Sequence, residues 1–142
     1  MPMPLFPSLE LFEALRDIVN SDPAFRQSGT VDLVMGVDVG GVAFKVVFDA
    51  WDVAEVATLD NPDSDEIDFV LRMSADNWRD LIQNIHDHGK ADRHHTLNSL
   101  DLQSEDNVAQ GSDYHRRDKF YRFNQSIQDF FDASARMDST FA

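Results

Sequence analysis

Phe120, Phe123, Ile127, Phe130, Phe131, Ser134 and Met137 recur at helical spacing near the end of the chain and set large apolar side chains along one stripe. That much ring surface must lie on a broad apolar surface, which constrains the rest of the molecule. Two runs upstream can supply it. From Thr30 the period is two: Val31, Leu33, Met35 and Val37 point one way, with Asp32, Val34, Gly36 and Asp38 between them. In the next run Val42, Phe44, Val46 and Phe48 alternate with Ala43, Lys45, Val47 and Asp49, and Gly40-Gly41 between the two runs marks a hairpin. A sheet roofed by an aromatic helix can enclose a cavity. The chain carries no self-evident catalytic motif, so the functional reading starts from that cavity.

Local signals place the remaining elements. Ser8 caps a helix to about Asn20 with Leu11, Phe12, Leu15, Ile18 and Val19 on one face. Asp22-Pro23 opens a short second helix through Phe25 that stops by Gly29. Trp51, Val53, Val56 and Ala57 suggest a third strand, ended by Asp60-Asn61-Pro62-Asp63, and Ile67, Phe69, Leu71 and Met73 a fourth, which reads as an antiparallel meander. Ser74 caps a helix carrying Trp78, Leu81, Ile82 and Ile85. Leu97, Leu100 and Leu102 fit a short fifth strand or a helix, with a strand near Leu97 to Gln103 favoured; Gly111-Ser112 reads as a break, and Asp113 or Asp118 to Met137 as one long final helix. The expected class is α+β: an N-terminal helix, an antiparallel sheet of about five strands, helices packed on one face and a long C-terminal helix.

At 142 residues the chain is expected to form one domain spanning 1–142. Its 26 acidic against 12 basic residues give a net charge of -14, which repels polyphosphate and acidic headgroups, so no nucleic-acid partner is expected. With no cysteine there is no disulfide, thiolate nucleophile or thiolate metal ligand. No secretory pattern follows Met1 and no apolar run is long enough for a transmembrane segment, so a cytoplasmic location is expected.

Asp68-Phe69-Val70-Leu71-Arg72-Met73-Ser74-Ala75-Asp76-Asn77-Trp78-Arg79-Asp80-Leu81 resembles the strand, serine cap and tryptophan helix of the sterol carrier protein 2 family. The strand around Val42 to Phe48 and the Phe130-Phe131 pair of the terminal helix are similar more loosely, and the order of elements is similar from about Leu9 to Met137. The resemblance implies an α/β domain enclosing an apolar tunnel for fatty acyl, sterol-like or other lipophilic ligands, which the family's members carry rather than convert. Two departures stand out: the family's usual glycines in its hairpin turns and before its fifth strand are replaced by Asp49-Ala50-Trp51-Asp52 and by Asn98-Ser99. The net charge also differs from the basic surface usual in members that deliver lipid to membranes.

Phe44, Phe48, Phe69, Trp78, Ile82, Phe123, Ile127 and Phe130 fit two uses, lining such a pocket or filling a core; periodicity allows both, and the resemblance favours the first for the group. Arg116, Arg117, Lys119 and Arg122 open the final helix at the end where its dipole disfavours cations, unless they meet acids nearby or a ligand carboxylate. Arg116 and Arg122 therefore join the ligand-binding set. His86 and His88 have a strand-like ligand spacing but fall at a helix end, where a histidine complements the dipole, so neither metal nor cofactor is expected. The acids from Asp49 to Asp68 match no calcium-loop spacing and read as a solvated face. An alternative to carriage is a small enzyme using the pocket with His94, His115 or Asp113 as proton-transfer groups. A third reading is homodimerisation through the terminal helix.

Overall fold

Capping sets the first helix where the sequence places it. In the computed structural model, which describes residues 5–27, 30–61, 66–103, 108–111, 113–137 and 140–141, Leu5–Phe6 forms a two-residue strand, β1, and Ser8 Oγ accepts from the Leu11 amide at the start of α1, Leu9–Asn20. Leu11, Phe12, Leu15 and Val19 are its buried face. The Asp22 carboxylate accepts from the Ala24 amide and starts α2, Pro23–Gln27, whose buried residue is Phe25. The expected stop at Gly29, the turn residues Pro62 and Asp63, and the break residue Ser112 lie outside the described residues.

The sheet is built from β2 (Val31–Val39), β3 (Val42–Ala50), β4 (Asp52–Thr58), β5 (Phe69–Met73) and the later β6 (Ala109–Gln110), in the order β4-β3-β2-β5-β6. Val39 pairs with Val42, so Gly40-Gly41 is the two-residue loop, and both glycines take the positive φ that such a hairpin requires. At the next hairpin Asp49 pairs with Asp52, and Ala50 itself adopts φ 58°, taking the left-handed role usually given to glycine. The register shifts between Val47 and Phe48, which face Glu55 and Val53. That bulge accounts for the odd three-residue spacing of Val53 and Val56 in the sequence.

The meander expectation holds for β2, β3 and β4 only. Strand β5 runs parallel to β2, with Met35 opposite Phe69 and Val39 opposite Met73, so the sheet is mixed. Alternation assigns a side chain to a face but says nothing about which strand lies beside which. Leu59 after β4 and Ile67 before β5 both lie against Gly36, on the sheet face away from the helices. A Cβ on Gly36 would lie 3.2 Å from Val70 Cγ2 and 3.4 Å from Ile67 and Leu59, so only glycine admits these neighbours without displacement.

Ser74 Oγ accepts from the Asn77 amide to start α3, Ala75–His88, and Gly89 ends it in the left-handed conformation. Its buried side chains are Trp78, Leu81, Ile82 and Ile85. Leu97–Gln103 is a helix, α4, not the expected strand. Helical spacing puts Leu97, Leu100 and Asp101 on the inner side and leaves Leu102 74% exposed, whereas the strand reading would have paired Leu100 with Leu102. The fifth strand is β6 instead, which pairs Leu71 with Ala109.

The expected single terminal helix is four pieces: α5 (Tyr114–Arg117), α6 (Lys119–Arg122), α7 (Asn124–Asp132) and a 3-10 turn over Ala133–Arg136, leaving about 13 residues of continuous helix from Asn124. The chain is redirected where its side chains change partners. Arg116 and Lys119 reach Asp68 and Tyr121 reaches Asp101, while from Ser126 onward the buried side chains join the helical core. A final strand, β7 (Thr140–Phe141), runs parallel to β1. Helices α1, α3 and α7 pack on one face of the sheet, giving the expected α+β class.

Candidate functional site

The inner face of β2 and β3 sets the floor of the helical layer. Leu33 lies opposite Phe48, Met35 opposite Val46 and Val37 opposite Phe44, all buried. Helices α1, α3 and α7 add Phe12, Trp78, Phe130 and Phe131, and the rings form a continuous network. Phe12 lies 4.7 Å from Phe44 and 6.4 Å from Phe130, Phe48 lies 5.9 Å from Phe130, and Trp78 lies 5.3 Å from Phe131, measured between ring centroids. These separations are those of favourable ring contacts, so the rings themselves fill the space between sheet and helices.

Seven of the sequence-derived site residues, Phe44, Phe48, Phe69, Trp78, Ile82, Ile127 and Phe130, belong to this buried interior, and Phe123 packs part-buried at its margin. Phe12, Phe120 and Phe131 are equally buried, and Phe120 meets Phe69 edge-on at 5.8 Å. Helical spacing in the sequence places all three on apolar faces. Trp78 donates its indole N–H to the Asp38 carbonyl at 2.9 Å, which locks the largest side chain of α3 to β2.

The two arginines of the expected set lie elsewhere. Arg116 Nε donates to Asp68 Oδ1 at 2.9 Å, and Lys119 Nζ lies 3.3 Å from Asp68 Oδ2, which also accepts from the Val34 amide at 2.8 Å. Burial pushes the Asp68 carboxyl up, but the Val34 amide, Arg116 and Lys119 outweigh it and hold the group below its ordinary value. The cations that a helix N-terminus disfavours are thus compensated by a buried acid. Arg122 is exposed, 3.7 Å from Asp118 and 5.8 Å from the centre of the Phe123 ring.

A cleft of about 170 Å³ opens where α1, α2 and α7 meet, lined by Val19, Ala24, Phe25, Asp22, Asp129, Asp132 and Arg136. Val19 and Phe25 belong to the buried core, so the floor of the cleft is the outer wall of the aromatic interior. Asp22 and Arg136 form an ion pair at 2.7 Å across it, and Arg26 pairs with Asp52, which ties α2 to the β3–β4 hairpin. Burial raises the Asp132 carboxyl above its ordinary value, although the Ala91 amide and Gln128 hydrogen-bond it; Asp129 adds repulsion. Sequence reasoning missed this cleft, since its walls come from elements a hundred residues apart and carry no shared spacing.

The groups considered for acid–base chemistry do not converge. His94 is exposed with Arg93 beside it, His115 is exposed against Tyr114, and Asp113 caps α5 by accepting from the Arg116 amide. His95 has acids on both ring nitrogens, Asp92 at 2.8 Å and Asp80 at 3.1 Å. The Asp92 hydrogen bond raises its pKa, against a smaller opposing effect of burial and with the charges of Asp92 and Asp80 adding to it. Among the described residues no group of three or more such side chains is placed to hold a metal ion, and no helix is long and apolar enough to cross a membrane.

No protein-family model matches the chain, and no curated protein matches it in sequence. A solved structure does: the crystal structure of sterol carrier protein 2 superimposes with a TM-score of 0.61 at 12% identity, covering 91% of this chain and 96% of that one. At that identity the likeness is one of fold, and this chain has the sterol carrier protein 2 fold.

Proposed function

We propose that this chain, built on the sterol carrier protein 2 fold, binds a lipophilic small molecule of fatty acyl, sterol-like or similar kind between its sheet and its helical layer. The observation that carries the reading is the buried aromatic network on the helix-facing side of a sheet ordered β4-β3-β2-β5-β6. In this reading Phe44, Phe48, Phe69, Trp78, Ile82, Ile127 and Phe130 are the surfaces a ligand touches, and Phe123 stands at the edge. Arg116 and Arg122 act from outside the interior, Arg116 by holding α5 to Asp68.

Because the rings fill the interior, a ligand enters by displacing them. Rings such as Phe130 and Phe12 swing aside and exchange their mutual contacts for contacts with the guest, so apolar burial is conserved while volume is redistributed. The cleft beneath α2 is a route in on this reading, with the buried Phe25 in its lining as the side chain that would move. Thermal unfolding of delipidated protein tests this directly. A saturating lipophile at about a hundred times its Kd is expected to add about 2.7 kcal/mol. If neither cholesterol nor any twelve- to eighteen-carbon chain shifts the transition, the interior is a core and nothing more.

A further inference from the structure

Buried polar groups normally have partners, because an orphaned one keeps the full cost of leaving water. Asp38, Asp68, Asp101 and Gln128 obey this: Asp38 takes Arg72 and the Gly41 amide, Asp68 takes Arg116, Lys119 and the Val34 amide, Asp101 takes two amides and the Tyr121 hydroxyl, and Gln128 bonds Leu97 and Asp132. Ser134 does not. Its side chain is fully buried, and among the described residues its Oγ has no hydrogen-bond partner. The residue sits in the 3-10 turn after α7, which packs against α1 and α3. It lies on the same helical stripe as Ile127 and Phe131, so it faces the apolar interior. A second orphan, the amide nitrogen of Asn124, stands ten residues earlier on that stripe, about 15 Å away along a helix. The Asn124 nitrogen can only donate, whereas the Ser134 hydroxyl can donate or accept.

We propose that the Ser134 hydroxyl is the polar anchor of the ligand site and that it selects a neutral lipophile bearing an alcohol, ketone or ester oxygen over a free fatty acid anion. The inference rests on the lipid-binding reading above and adds the class of head group. A neutral oxygen arriving at Ser134 completes a missing hydrogen bond, a gain that a pure hydrocarbon cannot match. A carboxylate arriving there brings a full charge into a ring-lined interior, where burying an unpaired ion is prohibitive. Among the described residues no lysine or arginine is buried to offset it, and Arg116 and Lys119 already serve Asp68.

The experiment compares four ligands of one chain length, 1-dodecanol, methyl laurate, laurate and dodecane, by competition and thermal shift on delipidated protein at pH 8, with Ser134→Ala alongside. The wild-type protein is expected to bind dodecanol and methyl laurate about tenfold more tightly than dodecane, the worth of about one hydrogen bond, and to bind laurate weakest. In Ser134→Ala the preference collapses to within about twofold while dodecane binding is unchanged. Without ligand, Ser134→Ala is expected to unfold at a higher temperature, since it removes an orphan; a serine with a structural bond would give the reverse. Retention of the wild-type preference by Ser134→Ala, or laurate binding as tightly as dodecanol, overturns the anchor. Dodecane reports on the lipid site itself: binding of all four ligands with no preference sinks the anchor alone, and binding of none sinks both readings.

Discussion

On the helix-facing side of the sheet, Phe44 meets Phe12 of α1 and Phe48 meets Phe130 of α7, at 4.7 and 5.9 Å between ring centroids, and Met35, opposite Val46, is buried on the same face. On the other side, Asp38 bonds Arg72 across the parallel β2–β5 pair, Arg72 also donates to Gln110 on β6, and Asp68 gathers Val34, Arg116 and Lys119. The polar side is directional: each bond names its partner, and together they hold β5, β6 and α5 in one register. The apolar side is not, because dispersion and burial are nearly indifferent to which ring touches which. One face is therefore held by bonds with fixed partners, and the other by packing in which one ring can stand in for another.

Three substitutions probe that difference. Phe130→Ala, on the exchangeable side, is expected to have the largest effect, a loss of about 3–5 kcal/mol by denaturant unfolding. Much of that loss should be recovered when benzene or indole occupies the cavity, as apolar cavities stay dry and take apolar guests. Failure of any small apolar ligand to rescue it would mean that the ring layer is as rigid as the polar face. Asp68→Asn, on the directional side, is expected to cost about 2 kcal/mol with no rescue by apolar ligands. Because the Asp68 carboxyl is held below its ordinary 3.8, its contribution is complete above that value and is lost as the pH falls through the lowered pKa. Wild type and Asp68→Asn should therefore converge in acid, which a pH series of unfolding midpoints reads out.

The smallest effect lies at the rim of the helical layer. His95 is held above its ordinary 6.5 by Asp92, so its contribution is complete below that value and fades as the pH rises through the raised pKa. The group is part-exposed, so His95→Asn is expected to cost a few tenths of a kcal/mol at pH 6 and nothing at pH 9. The two ionic sites thus respond to pH with opposite sign, and unfolding curves at pH 3, 6 and 9 separate them.

Elements whose causes are local are legible in the amino-acid sequence. Ser8 and Ser74 each cap a helix through an amide three residues on, and Gly40-Gly41 makes its turn from its own two φ angles. The aromatic membership of the interior is legible too, since period assigns Phe44, Trp78 and Phe130 to a face whatever lies opposite. Leu97–Gln103 misleads because Leu97, Leu100 and Leu102 satisfy neither period cleanly, and the buried Asp101, which bonds the amides of Val108 and Ala109, carries no apolar signal.

What the sequence by itself determined is the capped helices α1 and α3, the strands β2 to β5, their buried faces and the acidic net charge, because each follows from neighbours within a turn or two of chain. Only the tertiary structure decided that β5 lies parallel to β2, that the terminal helix breaks, that Arg116 and Lys119 converge on Asp68, and that one serine is buried without a partner among the described residues. The strand order, the ionic contacts and the break depend on groups brought together across 20 to 51 residues, where pairing a buried charge and burying ring surface weigh together.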